Sequence, residues 1–124
     1  MDRFFNGKIS NQTLYLRDKV DRNTLLVGDI ILCEVLQGFR QNKDFNSARQ
    51  LLLSFSQCDM SNQTIALASA DNYRYLRTKG ITVRKTIDML IATFCIQNKY
   101  QLLHTDKDFD VIEKYLPLDV YHFE

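Results

Sequence analysis

Three short acidic patches stand at the edges of apolar segments that lie far apart in the chain. Glu34 sits in Ile31-Leu32-Cys33-Glu34-Val35-Leu36, Asp88 in Thr86-Ile87-Asp88-Met89-Leu90-Ile91-Ala92, and Asp106 with Asp108 in Leu102-Leu103-His104-Thr105-Asp106-Lys107-Asp108-Phe109. A carboxylate removed from water is costly unless it is paired, hydrogen-bonded or bound to a metal. Acids that converge without enough Arg or Lys between them repel one another, and a divalent cation relieves that repulsion. The chemistry suggested is therefore a carboxylate metal centre.

Each of these residues has a plainer role to set beside that one. Asp88 heads an apolar stripe of Ile91, Ala92 and Cys95 at helical spacing, so it is either a first-turn acid favoured by the helix dipole or a metal ligand at a helix start. Glu34 is either a solvated helical glutamate or a ligand, with Gly38 one turn on leaving room for an approaching group. Asp106 and Asp108 straddle Lys107 just past a strand. Of the two, Asp106 is the expected ligand, and Asp108 the expected helix cap or water-mediated partner. Arg84 and Lys85 precede Asp88, and Lys107 lies between the two aspartates. These cations are either a solvated helix start or contacts for a phosphodiester.

The elements that must position these groups are legible from periodicity. Ser10-Asn11-Gln12 starts a helix over about 11–21, and Thr24-Leu25-Leu26-Val27 is a short strand. Asp29 looks like the cap of a helix carrying Leu32, Val35, Leu36 and Phe39. Further helices are predicted over about 44–56, over 63–78 with Asn62 as cap and Gly80 as stop, and over 84–98. Gln101–Thr105 reads as a strand, Asp108–Leu116 as a helix closed by Pro117, and Leu118–Phe123 as an edge strand. Strands alternating with helices predict an α/β layer fold with a parallel sheet, whose ligands bind beyond the carboxyl ends of the strands. Thr105-Asp106 lies at such an end.

Composition bounds the rest. A chain of 124 residues, 45% hydrophobic and 25% charged, predicts one globular domain. Sixteen basic and fifteen acidic residues leave a net charge of +1, which neither advertises nor excludes nucleic acid. Cys33, Cys58 and Cys95 show no C-x-x-C spacing, and His104 and His122 do not complete a zinc pattern, so buried reduced thiols are expected. No apolar run approaches the roughly 20 residues of a membrane helix, and no signal-peptide core is visible. A cytoplasmic, soluble protein is the expectation. G-x-G-x-x-G, Walker, G-x-S-x-G and H-E-x-x-H motifs are absent.

Taken together, Glu34 in Ile31–Phe39, Asp88 in Gly80–Ala92, and Asp106 with Asp108 in Leu103–Phe109 resemble the PIN domain. More narrowly, they resemble the VapC-type toxins of bacterial toxin–antitoxin pairs, over about Asp2 to the C-terminus. The resemblance implies a three-layer α/β/α sandwich with a central parallel sheet across residues 1–124. It also implies an acidic site for Mg2+ or Mn2+, endonucleolytic cleavage of RNA, a small antitoxin partner and a homodimer. By matching position, Glu34, Asp88 and Asp106 are the implied catalytic and metal-site acids and Asp108 a candidate fourth, with Arg84, Lys85 and Lys107 as RNA contacts.

One feature departs from the pattern. Members of the family open with a short apolar strand, central in the sheet and ending in Asp. Met1-Asp2-Arg3-Phe4-Phe5-Asn6-Gly7 instead resembles the segment after it, so the first strand and its acid are expected to be missing. A truncated start, a rearranged sheet, or a catalytically impaired module that still binds an antitoxin or itself would each account for that.

Overall fold

The computed structural model describes residues 4–6, 25–104 and 106–121. In chain order the elements are β1 (Phe4–Asn6), β2 (Leu25–Gly28), α1 (Asp29–Leu36), α2 (Asn42–Leu53), β3 (Ser56–Cys58), α3 (Gln63–Thr78), α4 (Thr86–Asn98), β4 (Gln101–Leu103) and α5 (Lys107–Tyr115). The strands form a parallel sheet in the order β3-β2-β1-β4. Beyond β4, Val120 adds a parallel bridge to Leu102.

The sheet is covered on both faces, as a parallel sheet must be. Every residue of β2 is buried. Its side chains alternate with the two-residue period of a strand. Leu26 joins the larger core with Ile65, Leu76, Ile91, Phe94 and Ile112, whereas Leu25 and Val27 pack with Phe55, Leu103, Leu32 and Leu51. Helices thus lie on each side of a central sheet, giving the three-layer α/β/α arrangement. α4 is buried around most of its circumference, from Asp88 and Met89 through Ile91–Cys95, as befits a helix packed between its neighbours α3 and α5.

Local chemistry fixes the ends of these helices. The Asn62 side chain accepts a hydrogen bond from the Ile65 N–H at 2.9 Å, capping α3 as its sequence predicts. α3 stops through Gly80, whose φ of 79° lets the Ile81 N–H reach back to the Leu76 carbonyl. α4 ends the same way without glycine: Lys99 takes φ 58°, and the Tyr100 N–H reaches the Cys95 carbonyl at 2.9 Å.

Several sequence expectations are revised. The interior position between β2 and β4, expected to lack a strand, is filled by Phe4–Asn6, which pairs with both neighbours. Backbone pairing demands this, since an open slot would leave two rows of buried polar groups unsatisfied. β1 ends in Asn6, where the family resemblance has Asp in sequence. β3 was not predicted, because Ser56-Gln57-Cys58 is a half-exposed edge strand with no apolar alternation. α1 stops at Leu36, leaving Phe39 beyond it and 40% exposed. Gly28, not Asp29, occupies the cap position of α1. The Asp29 carboxylate accepts from the N–H groups of Ile30 and Met60, tying the start of α1 to the segment after β3. Of the expected edge strand over 118–123, the described residues show the Val120 bridge, and residues 122 and 123 lie outside them. The helix predicted over 11–21 lies outside the described residues. The three cysteines are free, but Cys33 is exposed rather than buried. No helix among the described residues is long and apolar enough to cross a membrane.

Candidate metal centre

The carboxyl end of β4 begins the site. Leu102 and Leu103 are fully buried and carry the chain into His104, which is itself buried. The imidazole Nδ1 accepts a hydrogen bond from the Asp106 backbone N–H at 3.0 Å. Its ring lies against Phe109, with centroids 4.8 Å apart and planes inclined at 51°. Nδ1 as acceptor leaves the neutral ring's proton on Nε2, which faces Asp110 at 3.9 Å. Burial pushes the imidazole pKa below its ordinary value, against the opposing pull of Asp110, Asp106 and Glu113. His104 is therefore a neutral strut that fixes the turn between β4 and α5.

That turn sets the two aspartates. Asp106 is the N-cap of α5, its Oδ1 accepting from the Asp108 N–H at 3.0 Å. Asp108 stands in the first turn of the same helix, where a negative charge is favoured. The third acid comes from α4. Asp88 is a first-turn residue with no exposed surface. The apolar face of Ile91, Ala92 and Cys95 that follows it drives this end of the helix inward.

These placements bring one oxygen from each of Asp88, Asp106 and Asp108 within 4.8 Å of one another. At an effective dielectric constant of about 20, two unit charges at that separation repel by roughly 3–4 kcal/mol. Arg84 offsets part of this. Its Nη2 donates to Asp108 Oδ1 at 3.0 Å and lies 3.3 Å from Oδ2. The Asp108 hydrogen bond and charge, with further help from Asp106 and Asp88, hold the guanidinium firmly in its charged form. The donor set is entirely carboxylate oxygen, with neither thiolate nor imidazole. Hard oxygen donors of this kind suit Mg2+ or Mn2+ rather than zinc or copper, so the residues fit the ion that the resemblance implies.

The structure thus gathers two of the three acids expected as principal ligands. Glu34 is half-buried on α1 and falls outside the group of mutually close oxygens. Gly38 leaves open space, as expected, but from a position beyond the helix, where an added Cβ would meet the Val35 carbonyl at an ordinary 3.5 Å. The expected roles of Asp106 and Asp108 are exchanged in one respect: Asp106 makes the cap, and Asp108 joins the cluster with its carboxylate on Arg84. Lys85 and Lys107 are exposed at the starts of α4 and α5, while the Arg84 guanidinium is engaged within the site. His104 and Phe109 escaped notice as positioning residues. A histidine flanked by Leu-Leu on one side and two aspartates on the other was the available signal.

The model of the PIN domain family matches residues 4–115. Ribonuclease VapC11 of Mycobacterium tuberculosis and VapC ribonuclease Mb1587 of Mycobacterium bovis are each 30% identical over 93 residues, covering 75% of this chain and 69% of theirs. Among solved structures, VapBC2 from Rickettsia felis, bound to a DNA fragment from its promoter, superposes with a TM-score of 0.73 at 18% identity, covering 100% of both chains. VapBC-1 from nontypeable Haemophilus influenzae gives 0.67 at 17% identity, covering 98% of this chain and 97% of that one. With the acidic cluster at the carboxyl edge of a parallel sheet and a family match over nearly its whole length, the chain belongs to the PIN domain family, in its VapC-type branch.

Proposed function

We propose that this chain is a metal-dependent endoribonuclease, the toxin of a toxin–antitoxin pair. The observation that carries this is the convergence of Asp88, Asp106 and Asp108 within 4.8 Å. These three carboxylates would hold Mg2+ or Mn2+; Glu34 joins them as a candidate ligand and catalytic acid through the family resemblance alone. When bound, such an ion supplies a polarised water and neutralises charge on an attacked phosphodiester. The protein's own contribution is placement. His104 and the Asp106 cap fix two acids, and burial fixes the third. Lys85 and Lys107, both exposed, would contact RNA phosphates, with Arg84 as a third cation. Relatives bearing the name ribonuclease support the reaction class, and relatives solved as VapBC complexes support an antitoxin partner; a homodimer and a cytoplasmic setting rest on the family resemblance alone.

RNA cleavage with added Mn2+ tests this against Asp88→Asn. Cleavage by the wild type, abolished by the substitution and by EDTA, is the expected result. A second reading is favoured by one observation: the interior strand β1 ends in Asn6, where the family resemblance has Asp in sequence. In that case the chain is a catalytically impaired module that pairs with an antitoxin or with itself. Intact RNA with both proteins, alongside retained antitoxin binding, would select it.

A further inference from the structure

Asp108 serves two masters. It contributes an oxygen to the cluster with Asp88 and Asp106, and it accepts the Arg84 guanidinium on the same carboxylate. We propose that Arg84 is a resident counter-cation of the acidic cluster, which a divalent cation must displace from Asp108 in order to bind. This inference rests on the metal-centre reading and concerns how that centre is regulated.

Three observations favour displacement over a supporting role. First, a single Nη2 lies against both oxygens of Asp108, at 3.0 and 3.3 Å, so it sits on the bidentate side of the carboxylate, one of the places that attract a cation. Second, the Arg84 side chain is 77% exposed whereas that of Asp108 is 22% exposed. The arginine can leave for solvent at little cost, while the aspartate stays fixed on α5. A carboxylate only accepts hydrogen bonds, so a group that orients it from behind must be a donor, and a neutral donor suffices for that. A full positive charge beside the ligand instead opposes a second cation. Third, Arg84 lies in the segment 81–85 between α3 and α4, where regular structure is interrupted, so its movement need not disturb either helix.

The alternatives predict opposite signs. If Arg84 competes, Arg84→Gln binds Mn2+ more tightly, by roughly three- to tenfold in calorimetric titration at low salt. Raising the salt narrows the gap, because an exposed pair is screened, and Arg84→Lys falls between the two. Addition of Mg2+ shifts the wild-type Arg84 guanidinium NMR signal, assigned by its loss in Arg84→Gln, toward that of free arginine. Equal or weaker Mn2+ binding by Arg84→Gln, or a guanidinium signal unmoved at saturating Mg2+, overturns the proposal. Asp88→Asn separates this failure from that of the metal centre itself. Wild-type binding that Asp88→Asn abolishes but Arg84→Gln does not tighten leaves the centre standing and removes the competitor. No Mn2+ binding by wild type or Arg84→Gln removes both.

Discussion

The two flanks of the sheet hold their acids in very different ways. On the β4–α5 side, Asp106 and Asp108 are fixed by a cap hydrogen bond, by the buried His104 imidazole and by Phe109 beneath it. Asp88 is driven inward by the buried length of α4. On the β2–α1 side, Glu34 rides a two-turn helix that ends at Leu36, followed by exposed Gly38 and Phe39. The difference teaches that carboxylates are brought close by the framework behind them. Where that framework is buried and hydrogen-bonded three acids converge; Glu34, on a short helix with an exposed continuation, falls outside their 4.8 Å group.

Truncating that framework gives the largest contrast. Phe109→Ala, at a fully buried position, is expected to cost about 3–5 kcal/mol in denaturant unfolding, whereas Phe39→Ala on the exposed flank should cost under about 0.5 kcal/mol. Equal losses would show that the two flanks are not differently anchored. For metal affinity, Asp88→Asn should weaken Mn2+ binding by roughly a hundredfold or more, about 2.7 kcal/mol, and Glu34→Gln by far less. A Glu34 effect matching that of Asp88 would place α1 fully in the centre.

The His104 strut predicts a pH dependence confined to one flank. Its folded pKa lies below the ordinary 6.5, chiefly through burial, so the unfolded chain binds the proton more readily. Its contribution to stability is complete above about pH 6.5 and is lost as pH falls through the lower, folded value. Metal-free wild type should lose stability in that window more steeply than His104→Gln; identical slopes would refute the assignment. The smallest effect lies away from the site. Lys99→Gly relieves a left-handed residue at the end of α4 and should stabilise by about 0.5–1 kcal/mol in thermal unfolding.

Much of this was legible in the sequence, for reasons that differ by residue. α4 announces itself through apolar spacing, Asn62 and Gly80 mark the ends of α3 and Pro117 that of α5 by their own chemistry, and Asp88 stands out as an acid heading an apolar stripe. What stayed hidden depends on contacts between elements. An Asp-x-Asp pair does not disclose which member caps the helix, because either carboxylate can reach an N–H. Glu34 shares the flanking pattern of Asp88, but local pattern carries no distance between α1 and α4. The partnership of Arg84 with Asp108 spans 24 positions and joins the segment before α4 to the first turn of α5. The interior placement of Phe4–Asn6 is likewise a demand of the sheet rather than of those three residues.

The most direct test of the acidic centre is anomalous diffraction from crystals soaked in Mn2+. A manganese peak at roughly 2.1–2.4 Å from oxygens of Asp88, Asp106 and Asp108 is the expected result. A peak elsewhere on the chain, or none at saturating Mn2+, would contradict the assignment of these three carboxylates as a metal site.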